Sequence, residues 1–393
     1  MQQPSLRTII VFFAALLFCG VSAKADDKLS DSSFVSLITC GAGNDYYLAF
    51  GHTAIRVCDP SQNLDRVYNY GTFDFGTPHL YLRFIRGYLN YCVSASSYRN
   101  FVNNYWWEGR SLTEQRLRMS LAERNRLYTA LEENCRPQNR FYLYDFFRDN
   151  CATRARDMIA NALEDRTVFA KQRSDTNKTF RQMIYPYTGR LKWWQFGVDM
   201  LLGMRCDRPL STFDYMFIPF DLENQLDTTP MAATAQPLAE TSVQVLPETK
   251  EPNAESLSPD LVFWLLFVIV AILSVMGYIK QWKLRWLDIP LFSAVALLSV
   301  IVIVMWFFTI HWCTKANLNI LWLNPLFLYI VFRLRKSNRI VLYIAMACVA
   351  TVVIGFAWLP QQFNTAVIPI ALSLIIRLTS YILPSKDTET NKK

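Results

Sequence analysis

Hydrophobic and polar positions alternate in short segments along the first half of the chain and give way to long apolar runs in the second half. Between residues 26 and 226 the alternating segments predict β-strands at 33–40, 52–59, 65–73 and 111–119. The polar stretch between the second and third of these segments predicts a hairpin turn. This part of the chain is mixed and charged, so we predict one globular domain there.

Two helical signals follow the strands. Ser120 and Glu123 form a capping box ahead of residues 121–135, and Pro137 ends that helix. A second helix is expected to begin at Cys151. Its apolar residues recur on one face at helical spacing: Ala152, Ala155, Met158, Ile159, Ala162 and Leu163. Strands, a helix, an extended piece and a second helix indicate the α+β class.

The part after residue 261 predicts a helical membrane domain of about five spans. Its apolar runs cover residues 261–279, 289–310, 321–332, 340–358 and 366–383. The third run is shorter than the roughly 20 residues of a spanning helix, so it begins nearer Leu318 or is partly re-entrant. Lys and Arg concentrate in alternate loops and the tail, which predicts a cytoplasmic C-terminus. Arg377 lies inside the last run, and we expect it to extend toward the inner face.

The ends of the globular domain have their own signatures. Residues 1–25 resemble a secretory signal, with Arg7, an apolar stretch and small residues before a cleavage point near Lys24 or Asp26. An uncleaved first membrane helix is the alternative. Residues 227–260 are rich in Pro, Ala, Thr, Ser and Glu, so we predict a flexible linker to the membrane domain at 261–393.

Composition excludes some functions. The net charge is +8, but the basic residues are scattered or lie between apolar runs rather than in one arm, so we expect no nucleic-acid partner. No spacing typical of a metal site, a phosphate loop or a nucleotide fingerprint occurs, so we expect no cofactor. Six of the nine cysteines lie in the exported domain, where disulfides can form, although spacing does not define the pairs.

Cys151 and His52 are the candidate nucleophile and base. Asn150 is a favourable N-cap, so the Cys151 thiol would lie in the first turn of a helix. Free backbone N–H groups and the helix dipole favour a thiolate there and can bind an oxyanion. His52 is one of three histidines in the chain, and His79 is the other in this domain. By themselves, a cysteine at a helix start and a histidine on a strand are more often structural.

The partner of His52 depends on the register of the predicted hairpin. If Cys58 pairs with Arg66, the side chain of Asn69 points away from His52. The groups that could then orient the imidazole are Tyr70, Thr72 and Asp74. We favour Asp74.

Several long motifs resemble known enzymes. The pair "GHTAIRV" and "DNCAT" resembles the circularly permuted branch of papain-like, NlpC-type cysteine enzymes, to which lecithin:retinol acyltransferase belongs. The segments "ITCGAGNDYYLAFGHTAIRV", "VYNYGTFDF", "YLYDFFRDNCATRARDMI", "WWQFGVDMLLGMRCD" and "HWCTKANLNILWLNP" are similar to the Lnb family of bacterial lipoprotein N-acyltransferases. Members of that family have an N-terminal periplasmic domain and a C-terminal membrane part.

The resemblance implies a multi-pass protein of the bacterial inner membrane with Cys151 as nucleophile and His52 as base. It implies that an acyl chain moves from phospholipid, through a Cys151 thioester, to the N-terminal diacylglyceryl-cysteine amine of a lipoprotein. One alternative is a cysteine hydrolase of the same fold that cuts a lipid ester or a cell-wall peptide. Another is a membrane-tethered binding or sensor module.

The loop after the second apolar run carries polar residues at the outer membrane surface. They are His311, Asn317, Asn319 and Asn324. Asn317, Asn319 and Asn324 are our candidates for binding a lipid headgroup or the lipoprotein N-terminus. The alternative is that these residues cap helix ends at the membrane interface.

Overall fold

The computed structural model describes residues 28–74, 76–164, 177–231, 235–250, 255–334 and 337–383. The predicted signal segment, residues 1–25, and the basic tail after residue 383 lie outside the described residues.

A seven-stranded antiparallel sheet forms the centre of the N-terminal domain. Its strands are β1 (Phe34–Cys40), β2 (His52–Asp59), β3 (Leu64–Thr72), β4 (Asn90–Ser97), β5 (Leu112–Arg116), β6 (Phe141–Leu143) and β7 (Val243–Leu246). Their spatial order is β6-β4-β3-β2-β1-β5-β7. The four strands predicted from alternation are β1, β2, β3 and β5, and they include the centre of the sheet.

Helices pack on both faces of this sheet. The described α-helices of the N-terminal domain are α1 (Leu80–Arg86), α2 (Tyr98–Glu108), α3 (Leu121–Cys135), α4 (Cys151–Ala162), α5 (Phe180–Thr188), α6 (Lys192–Leu201), α7 (Thr212–Tyr215) and α8 (Pro219–Thr228). The predicted capping box at Ser120 and the start of α4 at Cys151 are confirmed. Helices α3 and α4 cover one face and share its core with Ile55 and Tyr68, whereas Phe101 of α2 packs on the other face.

Part of the predicted flexible linker is folded onto the sheet. Strand β7 pairs with β5 and forms one edge of the sheet. Leu238 and Ala239 are buried in the core beside it. Backbone pairing at a sheet edge requires no aromatic or strongly apolar composition, which is why the low hydrophobicity of this segment gave the wrong expectation for its described residues.

The C-terminal part is helical, as predicted. Its helices are α9 (Pro259–Lys280), α10 (Arg285–Phe307), α11 (Leu326–Phe332), α12 (Arg339–Ile354) and α13 (Val367–Ile382). By length and composition, α9 and α10 are sufficient to cross a membrane, and α12 and α13 are shorter apolar helices. The third predicted run is broken: a 3₁₀ turn at Leu318–Leu321 precedes the seven-residue helix α11.

Arg377 does not extend toward the inner face as expected. Its guanidinium is buried and makes two hydrogen bonds to the Asp288 carboxylate, at 2.6 and 3.0 Å. Ser274 accepts a third hydrogen bond from it at 2.9 Å. A charge among packed apolar helices is expensive unless it is paired, so a partner on a neighbouring helix replaces the route to water.

Buried polar contacts attach the N-terminal domain to the outer loops of the helical part. Arg181 on α5 pairs with Asp199 on α6, at 3.1 Å, and both side chains are buried. Asp199 accepts a hydrogen bond from Asn364 at 2.9 Å, and its backbone oxygen accepts one from Asn319 at 3.1 Å. The two parts of the chain therefore share a hydrogen-bond network.

Candidate active site

Cys151 is the first residue of α4, and the local sequence determines that position. The side-chain oxygen of Asn150 accepts a hydrogen bond from the Thr153 N–H at 2.9 Å, and Thr153 Oγ1 accepts one from the Asn150 N–H at 2.7 Å. The Asn150 amide also donates to the carbonyl oxygens of Phe146 and Phe217, at 2.7 and 2.8 Å. This reciprocal cap holds the helix start and the Cys151 thiol in place against the sheet.

His52 is the first residue of β2 and has Asn69 of β3 as its partner. The Nε2–H of His52 donates to Oδ1 of Asn69 across 2.6 Å. Because an amide oxygen can only accept, this bond places the ring proton on Nε2. The lone pair of Nδ1 is then available to accept a proton, as a general base requires.

Gly71 brings the two candidate residues to one place. A β-carbon at Gly71 would lie 3.6 Å from Cε1 of His52 and 3.9 Å from Cβ of Cys151. Tyr144 forms a third wall, since its Cε2 atom would lie 4.0 Å from the same point. The backbone of Gly71 has φ +98°, a region that favours glycine. The imidazole and the thiol therefore flank a gap that is open because residue 71 has no side chain.

Backbone donors surround the sulfur of Cys151. The N–H groups of Thr53, Ala152 and Cys151 itself make hydrogen bonds that stabilise the thiolate form and so lower its pKa. Thr53 is the residue directly after His52, so the start of β2 contributes both the candidate base and a donor. Such N–H groups are suited to hold the oxyanion of a tetrahedral intermediate.

Burial nevertheless determines the charge state of the pair. It raises the pKa of the Cys151 thiol to about 11, against the opposing backbone hydrogen bonds and the positive charge of Arg110. Burial also lowers the pKa of His52 to about 4, although the hydrogen bond to Asn69 acts in the opposite direction. Both groups are neutral at pH 7. The expected thiolate-favouring donors are present at the helix start, but they are weaker than desolvation.

Asp74 is not the partner of His52, because the register of the hairpin differs by one residue from the predicted one. Cys58 pairs with Asp65 rather than Arg66, and Ala54 pairs with Asn69. A shift of one residue exchanges the two faces of a strand, so Asn69 points toward His52 instead of away from it. The carboxylate of Asp74 accepts a hydrogen bond from the Gly76 N–H at 2.8 Å and caps an exposed turn.

The other two candidates for orienting the imidazole also lie elsewhere. Tyr70 is buried in the core with its hydroxyl accepting a hydrogen bond from Asn134, at 3.0 Å. Thr72 shares a hydrogen bond with Ser94 at 2.9 Å.

The three outer-loop asparagines are buried and bonded within the protein. The Asn317 amide donates to the Met200 and Leu201 carbonyl oxygens, at 2.9 and 3.0 Å. Asn319 accepts a hydrogen bond from Trp322 at 2.7 Å. Asn324 accepts one from the Leu326 N–H, at 2.9 Å, ahead of α11. These contacts fit the alternative in which the asparagines cap helix ends, and in addition Asn317 bonds the loop to the N-terminal domain.

A cavity of about 390 Å³ adjoins the candidate site. Its walls come from the segment before α4, from Gly87 after α1 and from two residues close after the end of α10. The lining residues are Gly87, Leu143, Tyr144, Asp145, Arg148, Asp149, Ile310 and His311. Tyr144 belongs both to this cavity and to the wall of the gap at Gly71. Cys151 and His52 do not line the cavity, so Tyr144 lies between it and the gap at Gly71.

Sequence reasoning missed Asn69, Gly71 and Tyr144. The segment "VYNYGTFDF" contains the first two, but their roles depend on strand register. Among the described residues, no group of three or more His, Cys, Asp and Glu side chains is placed to hold a metal ion.

Comparison with known families supplies the identity of the two parts. The Lnb N-terminal periplasmic domain matches residues 22–184, and the Lnb transmembrane domain matches residues 250–388. No curated protein and no solved structure gave a significant match. The two matches together cover more than half of the chain and follow one another in the order of the two folded parts. The chain belongs to the Lnb family and is a membrane protein with a periplasmic N-terminal domain.

Proposed function

We propose that this protein is a cysteine-dependent N-acyltransferase that moves an acyl chain from phospholipid to the N-terminal amine of a lipoprotein. The observation that carries the proposal is the arrangement of Cys151, His52 and Asn69. A buried thiol, an imidazole beside it and an amide that holds the imidazole tautomer are the parts of a cysteine nucleophile system. Their position beside a membrane domain suits lipid substrates.

The first half-reaction forms a thioester. Nδ1 of His52 accepts the Cys151 proton as the sulfur attacks the carbonyl carbon of a phospholipid ester. The backbone N–H groups around the sulfur stabilise the tetrahedral oxyanion. The ester C–O bond then breaks, the imidazolium returns its proton to the departing alcohol, and a lysophospholipid leaves the acyl group on Cys151.

The second half-reaction forms an amide. The neutral amine of the lipoprotein's diacylglyceryl-cysteine attacks the thioester carbonyl, and His52 takes the proton that the nitrogen loses. The C–S bond breaks as the amide forms, and the proton on the imidazole returns to the sulfur. The first half-reaction starts from a neutral Cys151 thiol and a neutral His52, which agrees with the raised thiol pKa and the lowered imidazole pKa, and the second starts from the thioester and a neutral His52.

The membrane domain supports the choice of substrates. The donor and the acceptor are both lipids held in the outer leaflet, so the nucleophile must work at the membrane surface. Ile310 and His311, close after the end of α10, line the cavity that reaches Tyr144 beside the Cys151 gap. A water-soluble substrate would not require a cavity that lies next to the end of a membrane helix.

We also propose that the C-terminus is cytoplasmic. With the N-terminal domain in the periplasm, five spans leave the end of the chain on the inner side. Lys280 at the end of α9 and Arg339 at the start of α12 then lie in inner loops, as the positive-inside rule expects.

The proposal is tested in cells that lack their own lipoprotein N-acylation. Wild-type protein or the Cys151→Ala variant is produced, and the N-terminal peptide of a lipoprotein is analysed by mass spectrometry. Wild type should yield an N-acylated peptide and the variant a free amine. A free amine with folded wild-type protein, or acylation by Cys151→Ala, would contradict the mechanism. Release of free fatty acid without peptide acylation would instead identify a hydrolase of the same fold.

A further inference from the structure

Helix α1 is exposed on almost every side although its residues are mostly apolar. Tyr81, Leu82, Phe84 and Ile85 have exposed fractions of 81%, 56%, 55% and 48%. Tyr88, just after the helix, is also exposed. A contiguous apolar surface of this kind in a folded protein marks an interaction site, and seven residues gain little helix stability in water.

The end of α1 is bonded to the segment that follows the membrane helix α10. The Ile310 N–H donates to the Arg86 carbonyl oxygen at 3.0 Å. Nε2 of His311 donates to the carbonyl oxygens of Phe84 and Ile85, at 3.1 and 3.0 Å. Side chains of this segment lie against the Gly87 backbone, and a β-carbon there would lie 2.7 Å from Cγ1 of Ile310. These hydrogen bonds therefore hold α1 next to the end of the membrane helix α10.

Because these contacts place α1 beside the end of a membrane helix, lipid is the surface that would cover its apolar side chains. Helix α10 ends at Phe307, and Phe307 and Phe308 are themselves more than three-fifths exposed. The apolar surface of α1 is thus continuous with the lipid-facing end of α10. Arg83 and Arg86 lie three residues apart on the helix, where they can approach lipid phosphates.

We propose that α1 is an interfacial helix that inserts its apolar side chains into the outer leaflet and guides a phospholipid acyl chain toward the cavity beside Cys151. Gly87, Ile310 and His311 join the helix to the cavity wall, and Tyr144 joins that wall to the gap at Gly71. The contact with lipid stands independently of the reaction, whereas the role in donor delivery rests on the proposed function.

Photocrosslinking of the full-length protein tests the contact. A benzophenone amino acid replaces Tyr81 in the protein reconstituted into vesicles of phosphatidylethanolamine and phosphatidylglycerol that contain a tagged phospholipid. The matched control places the same group at Val243, an exposed apolar residue on β7, which is an edge strand of the sheet. We expect several-fold more lipid adduct at position 81 than at position 243. Equal yields would overturn the proposal.

The same experiment in a Cys151→Ala background separates the two proposals. Adducts at position 81 that persist without the nucleophile show membrane contact regardless of acyl transfer. For donor delivery, Leu82→Asp should lower thioester formation from vesicle phospholipid and leave thioester formation from a short-chain, water-soluble acyl ester near the wild-type rate. Unchanged thioester formation from vesicles by Leu82→Asp would overturn the delivery role.

A second observation concerns Cys206 and Cys313, which bring the periplasmic domain and an outer loop together. Cys206 is fully buried after α6, and its thiol lies 3.5 Å from the Cys313 carbonyl oxygen. The Gly203 N–H donates to that same oxygen at 2.8 Å. A hydrogen bond between the two thiols, together with burial, raises the pKa of Cys206. In the structure both are free thiols.

We propose that Cys206 and Cys313 form a disulfide that links the catalytic domain to the membrane domain. The two thiols lose two protons and two electrons as the S–S bond forms. A disulfide-containing oxidant of the periplasm accepts them and becomes a dithiol. The periplasmic location of the domain makes this oxidation available.

Thiol mapping tests this proposal. The protein is purified without reductant, denatured, alkylated and digested, and the peptides are analysed by mass spectrometry. We expect a linked pair containing Cys206 and Cys313, with Cys92 alkylated as a free-thiol control. Full alkylation of Cys206 and Cys313 would overturn the proposal. Cys313→Ser should also lower the thermal midpoint under oxidising conditions but match the wild type under reducing conditions, and an equal difference in both would count against the bond.

Discussion

The imidazole of His52 donates its Nε2 proton to the side-chain oxygen of Asn69, across 2.6 Å. This bond keeps Nδ1 unprotonated, and Nδ1 is the atom that takes the Cys151 proton in the proposed mechanism. In that mechanism Asn69 is a positioning residue, which acts through His52 rather than on the substrate.

Asn69→Ala should lower the rate of lipoprotein N-acylation by about 10- to 100-fold, because the imidazole loses its preferred tautomer and orientation. The rate is measured with purified protein in vesicles that contain a diacylated lipopeptide. The matched control is Asp74→Ala, which removes an exposed turn cap and should stay near the wild-type rate. A loss in Asp74→Ala as large as in Asn69→Ala would contradict this assignment.

Cys151 should carry the acyl group. Incubation of the protein with phospholipid labelled in its acyl chains, without lipopeptide, should give a labelled protein that hydroxylamine releases at neutral pH. Cys151→Ala should give no label, and His52→Ala should form the label slowly because the thiol lacks a base. Stable labelling of Cys151→Ala would show that another residue is acylated.

The pH dependence should differ from that of an ordinary histidine and cysteine. His52 has a pKa of about 4, so the neutral base persists below pH 6.5 and the acidic limb of thioester formation should lie near pH 4. Asn69→Asp should move that limb to higher pH, since a carboxylate stabilises the imidazolium. An acidic limb near pH 6.5 in the wild type would contradict the lowered pKa.

The lowered pKa of His52 should also make the stability of the folded protein depend on pH. Unfolded His52 binds a proton below about pH 6.5, whereas folded His52 does so only near pH 4. The unfolded state therefore binds more protons in this window, and the free energy of unfolding should fall as the pH drops through it. His52→Gln should show a smaller decrease than the wild type in thermal unfolding between these pH values. An equal decrease in both proteins would assign the pH dependence to other groups.

A side chain at position 71 should block the gap between base and nucleophile. Gly71→Val places its branches between His52 and Cys151, on a backbone whose positive φ disfavours a β-branched residue, and acylation should be lost. Gly197→Ala is the matched control, because a β-carbon at this position on α6 meets no atom within 4 Å. Alanine also favours a helix, so this control should fold at least as stably as the wild type. Full activity in folded Gly71→Val would contradict the assigned geometry.

The network at Asp199 should determine the stability of the junction between the domains. Asp199→Ala leaves buried Arg181 with one carboxylate, from Asp207, and should lower the free energy of unfolding by about 3 kcal/mol. The measurement is thermal or denaturant unfolding in detergent. Glu133→Gln removes an exposed pair with Arg136 and should change the stability by less than about 1 kcal/mol. Similar losses in both variants would contradict a special role for the buried network.

The local sequence determines several features without the rest of the fold. The capping residues Ser120 and Asn150 define where α3 and α4 begin, because the N-cap contacts span only three residues. The same local cap explains why the position of Cys151 at a helix start is predictable. Long apolar runs predict α9 and α10 for a comparable reason, since composition over about 20 residues is sufficient.

The tertiary structure decides which side chains of these elements face each other and how deeply they are buried. Asn69 rather than Asp74 faces His52 because the turn at Pro60–Gln62 sets a register one residue away from the expected one, and one residue exchanges the faces of a strand. The raised pKa of Cys151 depends on burial under distant segments, which no local pattern reports. The sequence by itself therefore determined the candidate nucleophile and base, whereas long-range packing decided the partner of His52 and the protonation of both residues.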